Sequence, residues 1–274
     1  MKHKYYPFSS LEWRLYDIAS SIGKRNLFYK AYYLAKSQRT DLKAFRNIHN
    51  GQRCFILGGG PSLLKIDPAP LKNEITFGVN CIFLIYDWLG IHPTYYAVED
   101  WLVYEDRSND IKKFVTGSKC FFPLQFRTEN FHRGNHRYFR AIYDFDVKDG
   151  WPNFSRNASK LVWIGGTVSY VCMQLAYYMG FSEVYLIGFD HKYTKPANVI
   201  TDGTEWTSQG NDLNHFHPGY FGKGKRWHDP RVDRMEMAYK KAKKCFESDG
   251  RKIFNATVEG CLEVFDRVDY RTLF

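Results

Sequence analysis

Three successive glycines, Gly58, Gly59 and Gly60, followed by Pro61-Ser62-Leu63, are the first residues of this chain whose types and spacing suggest chemistry. They follow directly on the apolar run Arg53-Cys54-Phe55-Ile56-Leu57. Glycines there let the backbone turn sharply and approach a ligand closely. Unpaired N–H groups at a following helix start can then hold a phosphate. The spacing is neither a G-x-G-x-x-G fingerprint nor a P-loop, so a phosphate site and a tight structural turn both fit. A similar turn, Gly165-Gly166-Thr167-Val168-Ser169, precedes an amphipathic run and places Thr167 as an N-cap. Two such turns at strand ends can hold a diphosphate or a nucleoside monophosphate between them. Asp190, His191, Lys192 and Tyr193 emerge after the apolar run Val184–Ile187, and each either faces a ligand or anchors a loop. His215, His217 and His228 are candidate general bases, since neutral imidazole accepts a proton near neutral pH. Their spacing matches no known metal motif.

These residues need elements to position them. Apolar runs at residues 53–57, 76–80, 95–98, 119–122, 161–164, 184–187 and 252–255 read as strands. Between them, Val168, Cys172, Leu175 and Met179 recur at helical spacing, as do Val232, Met235, Tyr239, Ala242 and Phe246. Alternating strands and helices predict an α/β fold, a Rossmann-like, mainly parallel sheet flanked by helices. The sequence divides into an N-terminal helical appendage, residues 1–50, and a nucleotide-binding α/β catalytic domain, residues 51–274. The Gly-rich stretch 195–228 reads as a long loop. In the appendage, Ser9-Ser10 caps a helix through Leu11, Leu15, Ile18 and Ala19. A second helix carries Leu27, Ala31, Leu34 and Ala35 opposite Lys30, Lys36 and Arg39. Docking onto the main domain and rest on a membrane surface both suit these faces.

The chain has 274 residues, enough for one large domain with an appendage. Its net charge of +10 favours anionic partners. No nucleic-acid-binding signature accompanies that charge. Six cysteines are scattered, several within apolar runs, which suits buried thiols in a reducing compartment rather than disulfides or a zinc cluster. The sequons at Asn153, Asn157 and Asn255 are then chance matches. Neither a signal peptide nor a membrane-spanning run is visible. The expected protein is cytoplasmic, soluble or peripheral at the inner membrane.

From about residue 45 onward the sequence resembles the bacterial superfamily of the family 42 sialyltransferases and the DUF115 proteins, the MptE-like and flagellin-modifying Maf types. The resemblance rests on Gly58–Leu63, Phe77–Asn80, Gly165–Ser169, the run Met179–Asp190 and Asn255-Ala256-Thr257. The sialyltransferases have Gly-Asn-Gly-Pro-Ser-Leu where this chain has Gly58–Leu63, so Gly59 stands for an asparagine. Asn80 matches their second donor-binding asparagine, and Gly166-Thr167 fall on their nucleotide-binding turn. His228 to Asp233 matches their catalytic His-x-x-x-x-Asp stretch. Tyr193 is the nearest match to a leaving-group tyrosine. Glu99-Asp100 stand where a further donor-contacting asparagine is expected, which bears on the identity of the donor sugar.

The resemblance implies a metal-independent, inverting transfer of an acidic sugar from a CMP-sugar donor to a glycan or glycolipid acceptor of the bacterial surface. His228 would deprotonate the acceptor and Tyr193 would hydrogen-bond the departing phosphate. Gly58, Gly59, Gly60, Ser62, Asn80, Glu99, Asp100, Gly165, Gly166, Thr167, Asp190 and His191 would form the donor site. Lys223, Lys225 and Arg226 would meet an anionic ligand or serve as a solvated loop. No cofactor is required on this reading, and a homo-oligomer is expected. The alternative is an MptE-like pyrophosphokinase moving diphosphate from ATP to a pterin alcohol. That chemistry needs magnesium, with Asp190, Glu99 and Asp100 as candidate ligands.

Overall fold

The structure, a computed structural model, describes residues 10–24, 27–29, 31–32, 42–127, 131–143, 151–196 and 199–274. Its centre is an eight-stranded sheet in which every pair is parallel, in the order β13-β12-β8-β1-β2-β3-β4-β5. The strands are β1 (Arg53–Leu57), β2 (Thr76–Val79), β3 (Tyr95–Ala97), β4 (Lys119–Pro123), β5 (His136–Phe139), β8 (Glu183–Ile187), β12 (Lys252–Asn255) and β13 (Asp266–Arg267). A parallel sheet is covered on both faces, so its strands read as continuous apolar runs rather than alternations. Phe55, Ile56 and Leu57 of β1, and Val184, Leu186 and Ile187 of β8, are accordingly buried. The Rossmann-like α/β architecture expected from the sequence is present.

Two helices cover the strands that carry the glycine turns. The helix Val168–Met179 is buried along its whole length. It packs across β1, β2 and β3 and against the helix Val232–Glu247, which also contacts β12. The latter helix is amphipathic. It buries Met235, Ala238, Tyr239, Ala242 and Phe246 and leaves Lys240 and Lys244 in solvent. Gln174, buried in the first helix, is satisfied by four bonds. Its Oε1 accepts from the Ser155 and Trp163 amides, and its Nε2 donates to the Trp163 and Tyr170 carbonyls. The middle of the helix is thereby fixed to the segment leading into it.

Three features differ from expectation. The strand read at 161–164 forms, as β7 (Val162–Trp163), but pairs with β6 (Ala141–Ile142) in a separate two-stranded sheet. The stretch 195–228, read as a loop, contains an antiparallel sheet of β9 (Ile200–Asp202), β10 (Glu205–Thr207) and β11 (Arg226–His228). The first helix forms at Ser10–Ser21, but its aromatic side makes the contact. Trp13 is buried and Tyr16 meets Phe28 and Tyr29 edge-on. Leu11, Leu15 and Ile18 remain 66%, 49% and 59% exposed, because the docking surface is built from rings. Ser9, Lys30, Leu34, Ala35, Lys36 and Arg39 lie outside the described residues. Among the described residues no helix is long and apolar enough to cross a membrane. All six cysteines are free, and four of them are buried.

Candidate functional site: a glycine crevice and two histidine–carboxylate pairs

The sheet runs outward from β1 through β2, β3 and β4 to β5, and in the other direction through β8 to β12. The strand order therefore reverses between β1 and β8. That switch point is where open α/β sheets form a crevice beyond the strand C-termini. Gly58-Gly59-Gly60 leave β1 there, and Gly188-Phe189-Asp190 leave β8. Both turns line one cavity with Thr167, Ser169, His191, Lys192, Tyr193, Asn214 and Tyr239. The cavity measures about 50 Å³. One water needs roughly 10–15 Å³ of such space, so the cavity admits a small group such as a phosphate.

The two turns are stitched together through the groups that a phosphate would otherwise use. The Gly58 amide donates to the Ile187 carbonyl at 2.7 Å and the Gly60 amide to the Gly188 carbonyl at 2.9 Å. The Ser62 hydroxyl donates to Asp190 Oδ2 at 2.6 Å, and the Ser62 amide donates to the same carboxylate at 3.3 Å. Gly60 must lack a side chain because a Cβ would lie 1.9 Å from Asp190 Oδ2. Of the two roles open to Asp190, the structure shows the anchoring one. The amide of Gly60 and the hydroxyl of Ser62, both in the expected donor site, are instead used within the protein.

Gly59 lies under the 195–228 stretch. Its carbonyl accepts from the Phe216 amide at 2.9 Å. A Cβ at this position would meet His215 Cδ2 at 2.8 Å and the Tyr220 hydroxyl at 2.9 Å. The room an asparagine side chain would need is therefore taken by His215 and Tyr220. The imidazole of His215 stacks on Tyr220 with centroids 4.1 Å apart and bonds Asp212 Oδ2 through Nδ1 at 2.8 Å. Asp212 is buried, which pushes its carboxyl up. The His215 bond and the amides of Asn214 and Phe221 outweigh this and hold it below the usual range.

Thr167 caps the helix Val168–Met179, its Oγ1 accepting from the Ser169 amide at 3.3 Å. Gly166 has φ +80°, where a side chain is strained. At Gly165 a Cβ would strike Tyr170 Cδ1 at 2.5 Å and Ala238 Cβ at 2.8 Å. This turn and the β1 turn meet at the cavity through Thr167 and Ser169, although β7 is outside the main sheet. His191, at φ +52°, has a buried ring with Nε2 3.5 Å from Glu236 Oε1. Burial lowers its pKa against the opposing effect of Glu236. Tyr193 borders the cavity, 37% exposed, with its ring 6.1 Å from that of His215. Asn80 ends β2 at φ +47°, and its carbonyl accepts the Tyr96 hydroxyl. Its side-chain Oδ1 is buried without a partner among the described residues.

His228 lies elsewhere on the same sheet edge. It ends β11, and its Nδ1 bonds Asp100 Oδ2 at 2.9 Å. The other oxygen of Asp100 caps the helix Trp101–Phe114 by accepting from the Leu102 amide at 2.8 Å. Asp100 thus positions the imidazole and directs the ring's basic lone pair to Nε2. Burial opposes charging of His228, but the charge and hydrogen bond of Asp100, then Glu99 and Glu205, outweigh it and raise its pKa. Glu99 is buried. Desolvation, then the charge of Asp100, push its carboxyl up to about 8 despite His228. Glu205 pairs across the sheet with His228, and its Oε2 is buried without a partner among the described residues. Arg226 and Lys225 hold the stretch in place. Arg226 bonds Asp106 and Glu105, and Lys225 Nζ donates to the Asp106 carbonyl. Anchoring is therefore the role shown for both.

Adjacent strands are roughly 4.8 Å apart, so Gly59 beyond β1 and Asp100 beyond β3 are separated by roughly 10 Å across β2. A larger cavity of about 640 Å³ lies between the β1–β2 connection and the C-terminal residues, lined by Lys65, Ile66, Tyr270 and Phe274. None of the candidate site residues singled out above lines it. Of the carboxylates named for magnesium, Asp190 is bonded to Ser62 and both oxygens of Asp100 are engaged. Among the described residues no three His, Cys, Asp or Glu side chains are grouped to hold a metal ion. Asp212, Tyr220 and Glu205 were not singled out from sequence. The signal available was the Asp212-x-x-His215 spacing.

No curated protein matches the chain. Among solved structures it is similar to a Maf glycosyltransferase from Magnetospirillum magneticum AMB-1, with a TM-score of 0.52 at 16% identity. That alignment covers 84% of this chain and 35% of the other, so this chain spans about a third of that protein's length. At such identity the likeness shows the fold. The model of the family described as 6-hydroxymethylpterin diphosphokinase MptE-like matches residues 25–196, more than half of the chain. The matched segment includes both glycine turns and Tyr193 but stops before His215 and His228. By that match, the chain belongs to the MptE-like family.

Proposed function

We propose that the chain is a glycosyltransferase that moves an acidic sugar from a CMP-sugar to a surface-glycan acceptor by direct inverting displacement. The observation that carries this reading is the pair His228 Nδ1–Asp100 Oδ2 at 2.9 Å, on the same sheet edge as the switch-point crevice. A base held by a carboxylate that follows β3, two strands from the crevice at β1, suits removal of a proton from an acceptor hydroxyl. His228 takes that proton on Nε2 as the acceptor oxygen attacks the anomeric carbon. The bond from that carbon to the phosphate oxygen breaks, and CMP leaves with the bonding pair. The Tyr193 hydroxyl donates a hydrogen bond to the departing phosphate, and Thr167 caps the helix end that faces it. The protein works in the cytoplasm or at the inner membrane on this reading, with a glycan or glycolipid as acceptor.

The family match favours a second reading, transfer of diphosphate from ATP to a pterin alcohol. Magnesium would then be carried largely by the substrate phosphates. The two readings separate in one experiment. On the first, His228→Ala keeps the CMP-induced rise in melting temperature and loses transfer by about 10²–10⁴-fold. Undiminished transfer by His228→Ala contradicts the assigned base. Diphosphate transfer from ATP with no CMP binding supports the second reading.

A further inference from the structure

At the switch-point cavity the donors of the β1 turn are largely taken up within the protein. A phosphate needs N–H or O–H groups, and preferably a positive charge, to replace its water. Yet the Gly58, Gly60 and Ser62 amides and the Ser62 hydroxyl are all used within the protein. The carboxylate of Asp190 adds negative charge to the same turn. The side chain of Asn214, on the cavity wall, is also engaged. Its Oδ1 accepts from the Thr194 amide at 2.7 Å and its Nδ2 donates to the Thr194 carbonyl at 2.9 Å. Lys192 and Tyr193 remain on the cavity wall, and a donor brought from outside the two turns would add to them.

The 195–228 stretch brings one. His215 follows Asn214 directly and packs on the Gly59 backbone, with Cδ2 2.8 Å from the position of a Cβ. Its orientation is fixed on three sides. Tyr220 stacks against one face at 4.1 Å, Phe221 meets it edge-on at 5.0 Å, and Asp212 holds Nδ1 at 2.8 Å. Asp212 is itself held by the Asn214 and Phe221 amides, so the ring's partner is fixed in place. Nε2, next to Cδ2 on the ring, has no hydrogen-bond partner among the described residues. A side chain locked this way, with one donor position unused, is what a preorganised anion contact requires.

We propose that His215, oriented by Asp212, is a phosphate-binding residue of the crevice and donates Nε2–H to a phosphate oxygen beside Tyr193. The sheet edge then carries two histidine–carboxylate pairs with separate tasks. His215–Asp212 holds the phosphate at β1, and His228–Asp100 serves the acceptor at β3. The inference rests on the nucleotide-transferase reading and extends it to a residue beyond the segment matched by the family model.

The test is titration calorimetry on the full chain with CMP, cytidine, ATP and adenosine, each with and without magnesium. His215→Gln is expected to weaken the nucleotide that binds by about 10- to 100-fold, the loss typical of a charge-assisted hydrogen bond. Nucleoside affinity should stay unchanged. Asp212→Asn, nearly isosteric, should show a smaller loss confined to the phosphorylated ligands, and it carries the test if His215→Gln fails to fold. Unchanged nucleotide affinity in the folded variants, or an equal loss for nucleosides, overturns the role of His215. If the wild-type protein binds none of the four ligands, the nucleotide reading falls and the inference falls with it.

Discussion

His228 and Glu99 share one carboxylate neighbour and respond to it in opposite senses. Asp100 favours the charged ring of His228 and the neutral form of Glu99. Replacing it by Asn removes the charge that raises His228. On the glycosyltransferase reading, the acid limb of the pH–rate profile for Asp100→Asn shifts to lower pH. The maximal rate also falls, by about 10-fold or more, because the imidazole loses its orienting partner. A profile unchanged in position would separate Asp100 from the base. Gly60 is a different kind of residue, since its constraint is steric. A Cβ would sit 1.9 Å from Asp190 Oδ2 and 2.7 Å from the Gly188 carbonyl. Gly60→Ala should cost about 1–3 kcal/mol of stability, the usual range for overpacking. Urea unfolding measures this, and a variant as stable as the wild type would contradict the geometry.

Among the elements, the 195–228 stretch contributes most to the candidate site. It reaches Gly59 through Phe216, His215 and Tyr220, and Asp100 through His228. Arg226 clamps it to the helix Trp101–Phe114 through Asp106 and Glu105. Asp106→Ala should increase proteolytic cleavage within 195–228 several-fold and lower transfer, with nucleotide affinity less affected. Equal cleavage of the variant and the wild type would show that the clamp does not hold the stretch. The strands with the glycine turns were legible in the sequence because buried parallel strands are continuous apolar runs ending in glycine. The helix Val168–Met179 was legible from its spacing and its Thr167 cap. The partners of the candidate histidines were not legible. Asp100 precedes His228 by 128 positions, and only the topology of β3 and β11 brings them together. Local spacing was equally unable to show that Asp190 would satisfy Ser62, also 128 positions away, and so take up donors expected for the ligand. The strands within 195–228 were obscured by their short length and polar composition.

For the whole molecule, two groups tie stability to pH in the same direction. Glu99 keeps its proton in the fold up to about 8, against 4.5 for an unperturbed carboxyl. Between these values the unfolded chain ionises while the folded one does not, so Glu99 destabilises increasingly as pH rises. His228 has a raised pKa, so its pairing stabilises fully below 6.5 and the benefit is lost as pH rises through the folded value. In both cases the folded state binds more protons, and stability falls as pH increases. His136 and His191, whose pKa values burial lowers, act in the opposite sense only below about 6.5, so melting temperature should drop from pH 6.5 to pH 8, and Glu99→Gln should remove much of that drop. A flat profile in the wild-type protein would contradict the burial assigned to Glu99. The net charge of the chain, +10, adds a general attraction for anionic ligands.

The central claim is that the β1–β8 crevice holds the phosphate of a nucleotide donor. A thermal-shift comparison of the full chain with CMP, UDP, GDP and ATP, with and without magnesium, tests it most directly. The account predicts a concentration-dependent rise in melting temperature with CMP that does not need magnesium. A rise only with ATP and magnesium would contradict the CMP-sugar reading, and no rise with any nucleotide would contradict the site itself.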